Sequence, residues 1–452
     1  MIPRNRPENS ASARPRTHAM SAGAYAALVL ALLLAATAGC DPRVFDELAD
    51  DTWVSASEPP SDLSTQAYAV AIVSAGVSQS AGANVIAIAR NQDGFASLRY
   101  QSNGSLLSDV ILLGDVGIEA VAGLPALPVT ASDPSSPRVV VALQSGFPTS
   151  RAHLLPLDTD TGRALAPIVT LDGAEPISAL AFAGGDSGGD SVIVARGDTL
   201  LALEDITIAS VPDATPLCLL DRGPVASLLV DDLGAADAPQ RAIVAALPAD
   251  ADTEGEIWLL PADIVEAAAA SAADGETAAC LDASRQALAT LSAPDDAADF
   301  GQTVVSGDFD GDGRRDLAVS APSRETVYVY LDAIAGGDPI ALAAPADALA
   351  FGHALAVVNL DGQDGDELIV GAPESTVDGE RAAGAAYIYQ AAGADFGDPI
   401  ALADAQPEAD QRFGQSVAGV TFGNDDAPML IVGSSQEVYA YFRTPLSDDV
   451  RR

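Results

Sequence analysis

Two stretches, set one beneath the other, decide how this chain folds: "FGQTVVSGDFDGDGRRDLAVSAPSRETVYVYL" at 300–331 and "FGHALAVVNLDGQDGDELIVGAPESTVDGERAAGAAYIYQ" at 351–390. Phe-Gly opens both. An acidic loop then begins, at Asp308 and at Asn359. "LAVSAP" matches "LIVGAP", and "TVYVYL" matches "AAYIYQ". Each copy is followed by an identical "GDPIALA", at 337–343 and 397–403. A third copy starts at Phe413 with "FGQSVAGVTFGNDDAPMLIVGSS" and then "EVYAYF". Every copy reads strand, loop, strand, turn, strand, turn, strand. The strands are short runs of Val, Ile, Leu and Ala between Gly, Asp, Pro and Ser clusters. Four short strands in a unit of about 50 residues is the pattern of one β-propeller blade.

Fainter copies lie upstream, from Val225, Ile177, Val121 and Tyr68, which brings the count to seven units. The expected fold is therefore all-β: a seven-bladed β-propeller of four-stranded antiparallel blades over residues 65–446, its clear repeats at 298–445. Closing such a ring removes the open sheet edges that invite aggregation. One helical insertion is expected near 261–275, alanine-rich "PADIVEAAAASAADG" behind a possible Asp263 cap. Residues 447–452 form a short tail.

The chain has 452 residues and 48% hydrophobic composition, enough to build a sizeable core. It carries 64 acidic against 22 basic residues, a formal net charge of −42. That balance argues against nucleic acid or an anionic membrane surface as partner, since both need a basic footprint. All basic residues are arginine, so no lysine-based chemistry is open to it.

The N-terminus has the marks of an export signal. Arg4, Arg6, Arg14 and Arg16 precede an apolar run, "AYAALVLALLLAATAG", too short for a typical membrane-spanning helix. Its "TAGC" ending resembles the lipobox of bacterial lipoproteins. The resemblance implies a signal peptide over 1–39 and lipidation of Cys40. Residues 40–64, acidic and rich in Ser and Pro, read as a tether. The expected location is the cell envelope, at the outer membrane or the periplasmic face, membrane-anchored by lipid alone. Export also implies an oxidising compartment, in which Cys218 and Cys280 either pair as a disulfide or remain buried thiols.

Phe300-Gly301 with Ala321-Pro322, and Phe351-Gly352 with Gly371-Ala372-Pro373, resemble FG-GAP repeats, the propeller repeat of integrin α-subunits and many bacterial surface proteins. The resemblance implies a calcium loop of the form D-x-D-x-D-G-x-x-D between the first two strands of a blade. The residues agree chemically. Ca2+ takes six to eight oxygen ligands from carboxylates, carbonyls and water. Asp308, Asp310, Asp312 and Asp316 fill positions one, three, five and nine, and Arg314 would offer its backbone carbonyl with its side chain turned away. Gly311 and Gly313 permit the positive φ of a tight loop. The alternative is a solvated acidic hairpin turn. In the second loop Asn359, Asp361, Gln363 and Glu367 take the same positions, with Gly365 supplying the carbonyl; fewer charges imply weaker binding. The third loop puts Gly423 and Met429 where ligands belong and is expected to hold no metal.

Other motifs have plainer readings. The Arg196–Asp198 "RGD" reads as a strand-connecting turn, and "LDTDTG" at 157–162 as another. His353 reads as blade packing. No residue set points to catalysis, so the chain is not expected to be an enzyme. The function expected is a calcium-stabilised, integrin-like propeller that binds a protein or glycan at the cell envelope. The alternatives are a structural subunit of an envelope complex and, more remotely, a propeller-scaffold hydrolase.

Overall fold

A computed structural model describes the strands between Thr52 and Arg443 and, from residue 224 onward, most of the loops joining them; 1–51, 265–286, Gln363, 391–395, 423–426 and 444–452 are among the residues outside that description. The described strands form seven four-stranded sheets, and every pairing in the register is antiparallel. Six follow chain order over 71–112, 127–173, 177–218, 227–292, 304–343 and 354–402. The last draws three strands from 416–443. Each sheet's first strand lies against the first strand of the next, and Ser416–Phe422 lies against Ala71–Val77, so the innermost strands meet in a closed order.

That closure corrects one expectation. Thr52–Ser57, within the stretch read as a tether, is the outer strand of the last sheet, antiparallel to Val438–Arg443. The last sheet has only three strands of its own, and a fourth from the opposite end of the chain covers the exposed ladder of Val438–Arg443.

Burial follows position within a blade. The second strands, Asp316–Ala321 and Glu367–Ala372, are buried at every residue. They are sandwiched between neighbouring sheets, so their sequences run apolar and small without alternation. The fourth strands alternate instead, burying Leu342 in Ile340–Ala343 and Leu402 in Ile400–Leu402. The core lies between sheets: one cluster joins Val244 and Ile257 to Leu317 and Val319, another joins Val327 and Val329 to Leu368 and Val370.

The repeat signature has a packing cause. Phe300, Phe351 and Phe413 are fully buried. Each meets tyrosines of its own blade edge-on: Phe300 with Tyr328 at 5.9 Å, Phe351 with Tyr387 at 5.9 Å, Phe413 with Tyr439 at 5.0 Å. Burying one such ring contributes about 1.5–3 kcal/mol. The following glycine donates its N–H to the carbonyl that opens the Gly-Ala-Pro element: Gly301 to Ser320, Gly352 to Gly371, Gly414 to Gly433. Between blades the glycines themselves touch. A Cβ on Gly371 would lie 2.1 Å from the Gly414 carbonyl oxygen, so no side chain fits there.

Several expectations fall outside the described residues: the signal segment, Cys40, Cys280, the tail and the helical insertion beyond Ile264. Cys218 ends the strand Thr215–Cys218. Arg196, the first residue of the "RGD" triplet, pairs with Thr199 of the next antiparallel strand, while Gly197 and Asp198 lie outside the described residues. His353, expected to pack inside its blade, is instead exposed. It follows the Phe351-Gly352 turn, where the chain surfaces before entering Ala354–Val358. Among the described residues no helix is long and apolar enough to cross a membrane.

Candidate metal centre

The first acidic loop leaves the strand Val304–Gly307 and returns as Asp316–Ala321, with Gly307 opposite Asp316. Phe309 anchors it. Its ring is fully buried in the core between this sheet and the next, 6.4 Å from Phe396. With Phe309 turned into the core, its acidic neighbours Asp308 and Asp310 are left only partly buried beside it. Gly311 and Gly313 take φ of +75° and +82°, as the tight turn requires.

Asp308, Asp310 and Asp316 come together: each offers a carboxylate oxygen, and these oxygens lie within 4.8 Å of one another. Ligands on opposite sides of a Ca2+ ion, each at 2.3–2.6 Å, are separated by about 5 Å, so one ion can touch all three. The Asp308 carboxylate is oriented by its own loop. Its Oδ1 accepts the N–H of Gly311 at 2.8 Å and of Asp312 at 3.1 Å, and its Oδ2 accepts that of Gly313 at 2.9 Å. Asp316, only 1% exposed, sits at the base. It accepts the Phe309 N–H at 2.8 Å and the Asp332 N–H at 3.2 Å. Burial pushes its carboxyl up to about 6, against the pull of those hydrogen bonds, and repulsion from Asp310 and Asp312 adds to the rise. Asp310 is likewise raised, by burial first and then by Asp312 and Asp308. A cation among them would reverse both pressures.

Asp312 does not join the cluster. It is exposed, and Arg314 donates to it from Nε at 2.6 Å while reaching Asp332 from Nη1 at 2.6 Å. That guanidinium holds the Asp312 carboxyl below its ordinary range. The Arg314 side chain was expected to point away; it faces away from the cluster but captures an expected ligand.

The second loop repeats the frame with a different filling. Glu367, at the base, is 4% exposed and accepts the Leu360 N–H at 2.5 Å, as Asp316 accepts that of Phe309. Burial pushes Glu367 up to about 7. At position one, however, Asn359 accepts the Gly362 N–H at 2.7 Å and donates from Nδ2 to the Gly365 carbonyl at 2.8 Å. The amide orientation follows from its partners, one a donor and one an acceptor. The carbonyl expected to face a metal is thus already hydrogen-bonded. Asp361 accepts from Gln390 at 3.4 Å, and Gln363 lies outside the described residues. In the third loop the base position is Met429, fully buried, where the other two place a carboxyl. Among the described residues, Asp308, Asp310 and Asp316 are the one group of three acidic or metal-ligating side chains this close.

Closed sheets with an acidic loop between first and second strands define the class, a β-propeller with a candidate cation loop. A family model described as "FG-GAP repeat" matches residues 300–331, which contain that loop. Among solved structures, the crystal structure of BBS1N in complex with ARL6DN, soaked with lead, superposes with a TM-score of 0.52 at 13% identity, covering 88% of this chain and 97% of that one. At that identity the likeness is one of fold. The chain has a β-propeller fold and carries an FG-GAP repeat at residues 300–331.

Proposed function

We propose that this protein is a non-catalytic binding module of the cell envelope: a seven-bladed propeller, held on the membrane by lipid at Cys40 and stabilised by Ca2+ in its first acidic loop. The observation that carries the metal reading is the convergence of Asp308, Asp310 and Asp316 around a span that suits one calcium ion. The ion supplies positive charge where three carboxylates face one another, and so ties the hairpin to its base. The two buried carboxyls, Asp316 and Glu367, each accept the main-chain N–H of the second residue of their loop, an arrangement that suits a scaffold role. The second loop binds the ion more weakly or not at all, because Asn359 already occupies the Gly365 carbonyl.

The partner is a protein or glycan at the envelope. The similar propeller BBS1N is seen in complex with another protein, which supports a surface used for docking. A net charge of −42 favours a partner with a basic or cation-bridged face. Cross-linking in intact cells, followed by identification of what is captured, tests this. A transient, variable set of captured molecules supports a binding module. One stoichiometric partner that survives purification would instead make the chain a subunit of an envelope complex. Replacing Cys40 by alanine is expected to move the protein from the membrane fraction to the soluble fraction, and its retention would remove the lipid anchor from the proposal.

A further inference from the structure

Position eight of the two acidic loops carries opposite charges, Arg315 in the first and Asp366 in the second. The fold brings these equivalent positions of adjacent blades together. Arg315 donates from Nη1 to Asp366 Oδ2 at 2.8 Å, and its Nε lies 3.8 Å from Asp231 Oδ2 in the preceding sheet. Its main chain also bridges to Gly234 of that sheet. Asp366 in turn holds the first residue of the first loop on both sides. Its Oδ2 accepts the Asp308 N–H at 3.0 Å, and its own N–H donates to the Asp308 carbonyl at 2.6 Å. The loops are in close contact, since a Cβ on Gly311 would come within 3.2 Å of the Asp364 carbonyl oxygen.

We propose that Arg315 and Asp366 are positioning residues for the cation of the first loop, forming a blade-to-blade latch that fixes the Asp308 main chain in its ligating place. The proposal rests on the calcium reading of that loop. The three N–H groups on the Asp308 carboxylate belong to its own loop and would travel with it. Among the described residues, the hydrogen bonds that tie the Asp308 main chain to a neighbouring blade come from Asp366, and Arg315 restrains the Asp366 carboxylate that makes one of them. Outer contacts of this kind set metal affinity by orienting the ligands. The latch also explains why the metal would matter beyond one hairpin: through Arg315 and Asp366 the loop is tied to the sheets on either side.

Charge alone and the latch predict opposite signs for one substitution. Arg315→Ala removes a positive charge beside a cation site, which by electrostatics alone should tighten calcium binding. The latch predicts binding about tenfold weaker, the usual order for loss of an outer-shell partner. Calcium titration of the full chain by calorimetry reads the difference, and Arg315→Lys, which keeps a donor cation, should retain near wild-type affinity. Hydrogen exchange at the Asp366 amide, measured in chelator, should quicken in Arg315→Ala and not in Arg315→Lys. Wild-type binding with unchanged or tighter binding in Arg315→Ala overturns the latch. A wild-type chain that takes up no Ca2+ overturns the calcium reading itself, a result visible before any variant is made.

Discussion

The loops at 308–316 and 359–367 share a frame and differ in what fills it. Both hang between the first and second strands of a blade, both bury an acid at the base, and both tie that acid to the N–H of the loop's second residue. At position one they part. Asp308 collects three N–H donors and still faces two other carboxylates. Asn359 spends its oxygen on Gly362 and its nitrogen on the Gly365 carbonyl. One loop is left with a surplus of negative charge that a cation would resolve. The other closes on itself with an amide. In the calcium reading proposed above, a change from carboxylate to amide separates a hairpin that takes an ion from one that does not.

The largest expected effect is removal of calcium. At a concentration about 100-fold above Kd, a bound ion stabilises the fold by roughly 3 kcal/mol. Unfolding in urea, with calcium or with chelator, should show a difference of that order. Asp308→Asn, which makes the first loop resemble the second, should abolish it. If that variant keeps the full calcium response, the residue at position one is not what separates the loops.

The reverse exchange should act next. Asn359→Asp removes the donor to the Gly365 carbonyl and adds a carboxylate to the expected ligand positions, which already include Asp361 and buried Glu367. In chelator it should cost about 1–2 kcal/mol, the range for leaving a hydrogen-bonding group unpaired. Calcium should restore the loss, and calorimetry should count one more ion per chain than in the wild type. Loss without restoration would mean that position one alone cannot make a site.

How far these features could be read in advance depends on whether they are periodic. Phe300, Phe351 and Phe413 announce the blades because each blade buries the same ring in the same place. Asp308, Asp310 and Asp316 are legible as a cluster because alternate residues of a tight loop face one way. The Asp312–Arg314–Asp332 contact is not, since Asp332 lies beyond the third strand of its blade. The role of Asn359 is hidden because an amide counts equally as a possible ligand and as a substitute for the ion. The strand Thr52–Ser57 carries no local sign of its partner, which lies at the other end of the chain. The pairing of Arg315 with Asp366 shows in the sequence only as a charge reversal between equivalent positions of two repeats.

A smaller effect is expected at Arg314. Its pair with Asp312 joins side chains 33% and 32% exposed, so Arg314→Ala should cost less than about 1 kcal/mol in chelator. The same change releases Asp312 toward the cluster and removes a competing cation, so calcium binding should tighten. Weaker binding in this variant would show that Arg314 orders the loop rather than competing for its ligand.

The smallest effect tests the base of the second loop. Glu367→Gln keeps an oxygen to accept the Leu360 N–H and removes a carboxyl that burial has pushed up to about 7. The lost hydrogen-bond strength and the relieved burial of charge oppose each other, so stability in chelator should change by less than about 0.5 kcal/mol. The equivalent Asp316→Asn should likewise be tolerated in chelator, yet it should lose the calcium response, because there the carboxylate belongs to the convergent group. Comparing the two amides with and without calcium therefore separates a base that only holds its loop from one that also binds. If Glu367→Gln proves as sensitive to calcium as Asp316→Asn, the second loop carries an ion as well, and the Asn359 amide must give up the Gly365 carbonyl to admit it.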